Sequence, residues 1–493
     1  MSYFQNFKAQ AYQSFLLTFM SLMALALTLQ LSACKKDKIL TDNAILEFSA
    51  DTLQFDTVFT AQGSSTKWFK IYNPENQAIE ISQILLNGGN NSDFKINIDG
   101  VEATSQSNIL LRAKDSMYIF VMAYINPDRG DAIIEDSISF IIGGNEQKVY
   151  LSAYGWNANY IGALGDTTWY VNTTFTLDNT KPNIILGWHA FVDATLVIPP
   201  ATKVYMHGGP TNKPAHRAFF YLGENASAQV GVNGDFTNPV IIQTHRLEAD
   251  FQDFPYHHDG FYFTANSRDN KIHNTIIRNA TNAIIVDSLS INSNPKLELH
   301  NTFIYNVEEA GIIGFNASIK ATNTIIANSN QYNMILVKGG QYEFTHCTFA
   351  NYATTSFLTR KKPIITMRNY QVVYNAAGQR EIIYNTGNFD FRNSIIYGTK
   401  SDEIEVDLGN NNSIPLTINF EHCLIKKDTF ASNFQNCIFN QDPLFENRDE
   451  YNYSLDSTNS PAYQVGMNTN ITLDILGNPR SNTPDLGAYE YQQ

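Results

Sequence analysis

Cysteine is scarce in this chain, with four in 493 residues. A disulfide framework is therefore excluded as the source of its stability. Charge is thin as well: Asp, Glu, Lys and Arg make up 16% of the residues, and the net charge is −14. A net acidic chain is a poor electrostatic match for nucleic acid, which is not expected as a partner. Low charge combined with 43% hydrophobic residues also excludes a disordered chain. Several short catalytic signatures are missing. The chain has no Gly-Lys-Ser/Thr phosphate loop, no Gly-x-Ser-x-Gly elbow and no His-Glu-x-x-His. Long apolar runs are absent except at 15–29, where only Thr18, Ser21 and Thr28 interrupt. At ~1.5 Å per residue that run reaches ~23 Å, short of the ~30 Å hydrocarbon core of a bilayer. What the chain does have is aromatic residues, at 13%, with 26 Tyr and 32 Phe. Together with many Asn, Thr and Ile they favour an all-β chain, and the length favours more than one domain.

The apolar run belongs to an address. Lys8 is the only charge before residue 35, and the run ends at Leu31-Ser32-Ala33-Cys34. A basic start, a short apolar stretch and small residues before a break describe a secretory signal. The last four residues resemble the lipobox of bacterial lipoproteins. That resemblance implies a signal peptide over 1–33, lipidation of Cys34 and a lipidated linker over 34–43. It further implies anchorage to a membrane through the lipid, in the cell envelope and at the outer membrane.

Residues 44–156 carry strand-like runs at 53–59, 67–72, 79–86, 94–98, 116–124, 137–142 and 148–153. Turn residues separate them, among them Asn73-Pro74, Asn87-Gly88-Gly89, Asp99-Gly100 and Asn126-Pro127. Short strands with turns every 8–15 residues predict a β-sandwich. Ile71-Tyr72-Asn73-Pro74, Ile81 to Leu86, Phe120-Val121 with Asn126-Pro127, and Val149 to Gly155 resemble bacterial immunoglobulin-like modules. The resemblance implies a spacer or docking domain, and no titratable cluster in the span points to chemistry.

Residues 157–493 contain a repeat of the form polar, small, apolar, apolar. It occurs as Asn274-Thr275-Ile276-Ile277, Asn301-Thr302-Phe303-Ile304 and Asn323-Thr324-Ile325-Ile326. It returns as His346-Cys347-Thr348-Phe349, Asn393-Ser394-Ile395-Ile396, His422-Cys423-Leu424-Ile425 and Asn436-Cys437-Ile438-Phe439. Most intervals lie in the twenties. The interval of 47 before Asn393 predicts one degenerate coil, and the final interval of 14 predicts a truncated turn. Without Leu periodicity or a 3.6-residue pattern, a parallel β-helix fits better than a leucine-rich repeat. The polar position then forms a stacked ladder at a coil corner. Cys347, Cys423 and Cys437 become buried structural thiols, with a Cys423–Cys437 disulfide as the alternative. Ala194-Thr195-Leu196-Val197-Ile198-Pro199-Pro200-Ala201, Asn238-Pro239-Val240-Ile241-Ile242 and His245-Arg246-Leu247-Glu248 resemble segments of right-handed, pectin-lyase-like β-helix surface proteins. Ser460-Pro461-Ala462-Tyr463 and Pro484-Asp485-Leu486-Gly487-Ala488-Tyr489-Glu490 resemble their closing, choice-of-anchor module. This resemblance implies a right-handed parallel β-helix. A solenoid's terminal strands must be covered, which is expected of the sandwich and residues 157–190 at one end and of residues 474–490 at the other.

Two clusters offer chemistry. Asp250, Asp253, Tyr256, His257, His258 and Asp259 stand among Phe251, Phe254, Phe261, Tyr262 and Phe263. Carboxylates and histidines of this kind serve as acid and base, and aromatic faces stack on sugars. Polysaccharide lyases on β-helices add a basic residue, for which Arg246 and Arg268 are near in sequence. The plainer reading is an excursion between coils, with Pro255 and Gly260 as turn residues. The second cluster is Asp402, Glu403, Glu405 and Asp407, followed by amides at 410–412. Its groups are calcium-type ligands, so calcium is the one cofactor left open. The alternation with Ile404, Val406 and Leu408 reads instead as the solvated face of a strand.

The expectation is therefore an all-β envelope lipoprotein, an immunoglobulin-like sandwich followed by a right-handed parallel β-helix. Its leading function is non-catalytic binding of a glycan or envelope component. A polysaccharide lyase or hydrolase is the rival, and an architectural spacer is the third reading.

Overall fold

The computed structural model describes residues 18–21, 39–165, 168–208, 217–352, 360–409, 413–428 and 433–492. Cys34 and its lipobox lie outside the described residues. Among them, no helix is long and apolar enough to cross a membrane. The chain divides into two compact units, Met1–Trp156 and Asn157–Gln493.

In the first unit, alternation of buried and exposed residues builds two sheets over one core. One sheet runs Ile39–Leu40, Ala78–Leu86, Ala132–Ile142, Asn145–Trp156, Thr52–Phe59, with Ser105–Leu111 also on Ala78–Leu86. The other runs Glu47–Phe48, Lys67–Tyr72, Ser116–Ala123, Phe94–Ile98, Val101–Glu102. Phe55, Ile81 and Ile138 from the first meet Phe69, Ile96 and Ile119 from the second in a single apolar cluster. The strand Ser105–Leu111 escapes the sequence reading because Ser105, Gln106, Ser107 and Asn108 hide its periodicity. Asn108 also carries a positive φ of 56°, which breaks the alternation.

In the second unit, 26 strands of the described residues join one continuous sheet, and every pairing between them is parallel. Strands pair in parallel mostly with the strand two, three or five places further on, so the chain winds into a β-helix-like solenoid with three faces. The first face includes Asn183–Leu186, Val240–Thr244, Ile325–Ser329 and Ile395–Gly398. The second includes Trp188–Phe191, Phe219–Leu222, Asn282–Asp287 and Ile365–Arg368. The third includes Thr195–Ile198, Ser227–Val230, Gly387–Arg392 and Leu416–Glu421.

Each position of the repeat has a place. The polar residue turns the corner from the third face to the first in the left-handed region. The φ is 46° at Asn274, 47° at Asn301 and Asn323, 53° at His346, 48° at Asn393, 50° at His422 and 51° at Asn436. Asn tolerates this region better than other residues with a Cβ. Asn301 Nδ2 donates to Asn274 Oδ1 at 3.0 Å, and Asn323 Nδ2 donates to Asn301 Oδ1 at 3.0 Å. Asn393 donates to His346 Nε2 at 3.0 Å, and Asn436 to His422 Nε2 at 3.1 Å. The small residue points inward and caps a carbonyl two residues back: Thr275 on His273, Thr324 on Thr322, Ser394 on Arg392, Cys347 on Thr345 and Cys423 on Glu421. The three cysteines of the described residues, Cys347, Cys423 and Cys437, are free thiols in these positions. The fourth residue enters the core, as Ile277, Ile304, Ile326, Phe349 and Ile396. On the third face the core is a run of stacked rings. Phe344, Phe391, Phe420 and Phe434 lie 4.7–4.9 Å apart in succession.

Two expectations are corrected. No degenerate coil separates Phe349 from Asn393, because Thr348 pairs directly with Ile395 and His346 meets Asn393. The long interval is one coil with an added antiparallel hairpin, Tyr370–Tyr374 with Arg380–Tyr384. Nor do residues 474–490 cover the far end. They lie lengthwise on the first face, where Ile475, Leu486 and Ala488 pack on Ile325, Ile395 and Leu424. The tail follows the corner ladder backward: His422 meets the Val465 carbonyl, Asn393 the Met467 backbone, His346 the Thr469 hydroxyl and Asn323 the Leu473 carbonyl. Buried Arg480 completes the lock, donating to Asn323 Oδ1 at 2.9 Å and pairing with Glu490 at 3.3 Å. The short last turn holds Phe434–Gln435 on the third face and Ile438–Phe439 on the first. Among the described residues it has no strand on the second face.

The ladder predicts a graded mutational response. Asn301→Ala removes a donor and an acceptor and places a Cβ without polar compensation at positive φ. The expected loss is about 2–4 kcal/mol. Asn301→Gly keeps the conformation and should lose less. Urea unfolding of both variants checks this, and equal losses would mean that backbone conformation plays no part.

Candidate functional site

The aromatic and acidic segment 249–260 forms an excursion between the first-face strand Val240–Thr244 and the second-face strand Phe261–Phe263. Asn279 fastens it: its amide donates to the carbonyls of Gln252 and Phe254 at 2.8 and 3.0 Å, and its own carbonyl accepts from the His257 backbone. Gly260 ends it at a φ of 64°, where a Cβ would collide with the Ala283 carbonyl.

Within the excursion the candidate residues separate. Asp253 accepts from Asn306 Nδ2 at 2.9 Å and from the Tyr451 hydroxyl at 2.7 Å. It ties the loop to the C-terminal tail. The fully buried His258 accepts the Gly260 N–H at Nδ1, so its Nε2 carries the proton and donates to the Arg278 carbonyl at 2.9 Å. Burial pushes this imidazole down to about 4. Tyr256 lies under the Arg217 guanidinium, 4.3 Å from its ring centre, and Arg217 also pairs with Asp259 at 3.4 Å. Burial raises the Asp259 carboxyl. The backbone at Asp250 belongs to a short 3-10 turn, Ala249–Phe251, and its side chain is outside the described set.

His257 differs from these. Its Nε2 is buried without a hydrogen-bond partner, and its ring meets Phe251 and Phe254 edge-on at 5.7 and 5.5 Å. Burial first, and the nearby Arg246 second, push it down to about 4. Arg246 stacks on Phe251 and pairs with Glu248 at 3.0 Å. Close by, His207 and His245 stack at 4.4 Å, and His245 falls to about 3 through burial. Three histidines thus occupy one corner. Among the described residues, however, no group of three or more His, Cys, Asp or Glu is placed to hold a metal ion.

The second acidic cluster is not uniformly solvated. Glu403 is fully buried and forms a two-pronged ion pair with buried Arg360, at 2.7 Å from NH2 to Oε1. Its carboxylate also accepts from Ile364 and Lys400 backbone amides at 3.1 and 2.8 Å. The expected solvated face is therefore wrong at Glu403. Alternation placed it as a strand residue, but it precedes the strand Ile404–Asp407 and neutralises a buried cation. Asp402 pairs with Lys427 at 2.9 Å, while Glu405 and Asp407 face Arg368.

A different set of residues is open. Register stacks Gln229, Lys271, Glu298, Lys320, Glu343, Asp390 and Asn419 into one column on the outside of the third face. Beside this column rises loop 288–295, held by Asn292 and Asn294 bonded to Asp269 and by Ser290 bonded to Ser318. Buried Lys296 anchors its base by donating to the Thr264 and Ala265 carbonyls. The loop borders two hollows of about 670 and 360 Å³, both lined by Asn294 and Pro295. The larger one has Ser318, Lys320, Gln341, Glu343 and Asn388 on its floor. Lys320, Gln341 and Glu343 are exposed, and none of their side chains has a hydrogen bond or ion pair among the described residues. Sequence reading missed this column because its members fall one per coil, 22–47 residues apart, and their register depends on knowing every coil length.

No protein-family model matches the chain, and no curated protein matches it. Among solved structures it is similar to a protein of unknown function from Porphyromonas gingivalis W83, with 12% identity over 25% of this chain and 50% of that one, at a TM-score of 0.18. It is also similar to a family 123 glycoside hydrolase from Clostridium perfringens, solved for glycolipid glycan hydrolysis, with 10% identity over 25% of this chain and 26% of that one, again at 0.18. The chain thus spans about half the length of the first and about a quarter of the second. At that TM-score neither similarity bears on fold or chemistry.

The buried histidines predict acid lability. His245, His257 and His258 have folded values depressed to about 3 or 4, below the ordinary 6.5. The unfolded chain therefore binds protons first. The stability is present above pH 6.5 and is lost as pH falls from there through 4, by about 1.4 kcal/mol per pH unit for each group. Urea titrations at pH 7.5, 6 and 5 should show the decline. His257→Phe, which fills an aromatic pocket without a titrating nitrogen, should reduce its slope.

Proposed function

We propose that the C-terminal unit binds a polysaccharide along the third face, non-catalytically. The observation that carries this reading is the registered column of polar side chains beside loop 288–295, in which Lys320 and Glu343, with neighbouring Gln341, have no side-chain hydrogen bond or ion pair among the described residues. Stacked strands repeat every ~4.8 Å, so they offer side chains at regular steps to a polymer with its own repeat. The hollows fall within the ~300–1,000 Å³ range of ligand sites, and their polar lining suits a hydroxyl-rich ligand better than an apolar one. Catalysis asks for an acid and a base converging on one bond. Asp253, His258 and Asp259 are instead each engaged in holding the excursion.

The wider reading is an envelope lipoprotein anchored through Cys34 at the outer membrane. Its N-terminal sandwich is of immunoglobulin-like type and its solenoid is a right-handed β-helix. The near-universal right hand of parallel crossovers supports that hand. Binding along the third face needs no cofactor, and calcium enters only through the rival lyase reading.

Purified protein should bind one or more members of a panel of neutral and acidic polysaccharides without shortening them, with or without calcium. Replacing Lys320, Gln341 and Glu343 together by Ala should weaken that binding about tenfold or more while leaving the unfolding midpoint in place. Calcium-dependent chain shortening that is lost in Asp253→Ala or His257→Ala would overturn the proposal in favour of a lyase.

A further inference from the structure

The N-terminal unit carries a second exposed surface, on the outer side of its second sheet. Alternation in Lys67–Tyr72 sends Phe69 and Ile71 into the core and leaves Trp68, Lys70 and Tyr72 outside. In Ser116–Ala123 the same alternation leaves Tyr118 and Phe120 outside. Register places Phe120 against Trp68 and Tyr118 against Lys70. Tyr124 follows on the same side, and Lys95 comes from the neighbouring strand Phe94–Ile98. The rings are well exposed, Trp68 at 52%, Tyr124 at 43% and Tyr118 at 40%. A soluble surface rarely groups this much aromatic area without a partner.

The rings form an ordered platform. Tyr118 and Phe120 stack with planes 16° apart and centres 5.8 Å apart. Trp68 meets Tyr118 edge-on at 5.1 Å. Each cation on the platform is tied to a ring. Lys70 Nζ stands 4.5 Å from the Tyr118 centre and Lys95 Nζ 5.3 Å from that of Tyr124. The nearest carboxylates in register, Glu47 opposite Tyr72 and Glu102 opposite Asn97, stand at the two edges of the sheet. At the Tyr124 end the platform opens into a hollow of about 540 Å³, lined by Asn90, Asn91, Ser92, Asp93, Asn126 and Arg129, with Arg129 paired to Asp93 at 2.5 Å.

We infer that this face is a second glycan site, for a linear polysaccharide bearing carboxylates. Flat rings accept the C–H faces of sugar units, and successive rings about one sugar apart suit a chain better than a single sugar. Lys70 and Lys95 supply the only charges in the middle of the platform, and both are positive in a chain that is acidic overall. That local complementarity selects an anionic polymer. The hollow offers the amides of Asn90, Asn91 and Asn126 to the hydroxyls of the unit that passes beyond Tyr124, while the Arg129 guanidinium is held by Asp93. This site lies in a different unit from the third-face column and does not rest on it.

The test uses the full chain with the third face disabled by Lys320→Ala, Gln341→Ala and Glu343→Ala, titrated with polygalacturonate, alginate and neutral dextran. Binding of the two carboxylated polymers should persist and weaken as salt rises. Adding Trp68→Ala and Phe120→Ala should weaken it at least tenfold, and Lys70→Gln should remove most of its salt dependence. The substituted side chains are surface groups, so the unfolding midpoint should not move. Undiminished binding without the two rings would overturn the inference. So would equal binding of dextran, or sedimentation showing that the rings instead join two copies of the chain. Loss of binding in the third-face variant alone would also overturn it, while supporting the first site.

Discussion

The second unit depends on one backbone constraint: from Asn274 onward each coil leaves its third face and enters its first through a residue in the left-handed region. A β-strand cannot turn that sharply within its own φ/ψ range, and most residues with a Cβ resist the alternative. Asparagine resolves the conflict twice. It accepts the conformation, and its amide has both a donor and an acceptor to share with the coil above and the coil below. A solenoid lacks the long-range closure of a globular core, so its coils hold together through nearest-neighbour terms. The Asn274–Asn301–Asn323 chain of amide bonds is such a term. Histidine enters at His346 and His422 as an acceptor for the Asn of the next coil, a role that requires the neutral ring. At His346 burial enforces that form, pushing the ring down to about 2.

The same corner explains how the tail is held. Ladder side chains retain capacity for outside partners after bonding one another, and the tail meets that capacity at Val465, Met467, Thr469 and Leu473. The tail then covers the outward apolar residues of the first face. This is why the repeat has two apolar residues in succession where an exposed strand would alternate. Phe303, Ile325, Ile395 and Leu424 form one cluster with Phe445, Leu455, Leu486 and Ala488.

Much of this was legible in the sequence. The four-residue repeat located the corner, the inward small position and the core position, and composition alone gave an all-β chain. The doubled apolar pair also held the information that the first face is covered, but only the structure shows by what. A second asparagine recurs five residues after the first, at Asn279, Asn306 and Asn328, each again at positive φ. That signal was present in the sequence and marks the next corner. The interval of 47 misled because an inserted hairpin and a missing coil add the same number of residues. Glu403 misled because alternation reports which side of a strand a residue takes and says nothing of a buried Arg360 arriving from 43 residues away.

The surfaces proposed to bind were less legible for a related reason. Residues that are dense in chemistry and close in sequence attract attention, yet in a solenoid such a segment is a loop between coils. Its polar groups are consumed in fastening it, as Asp253 and His258 show. A surface that meets a polymer is built the other way. It draws one residue from each coil, so its members are distant in sequence and unremarkable in local context. Lys320 and Glu343 are adjacent only because strand register makes them so. On the sandwich face, both parities of the strand are apolar or aromatic, so alternation does not separate Trp68 from Phe69 until the core has claimed one of them. In both units the polar or aromatic groups left without internal work stand on open, regularly spaced strands. The histidines with the most displaced protonation are enclosed by packing. The proposed recognition of an extended polymer rests on that division.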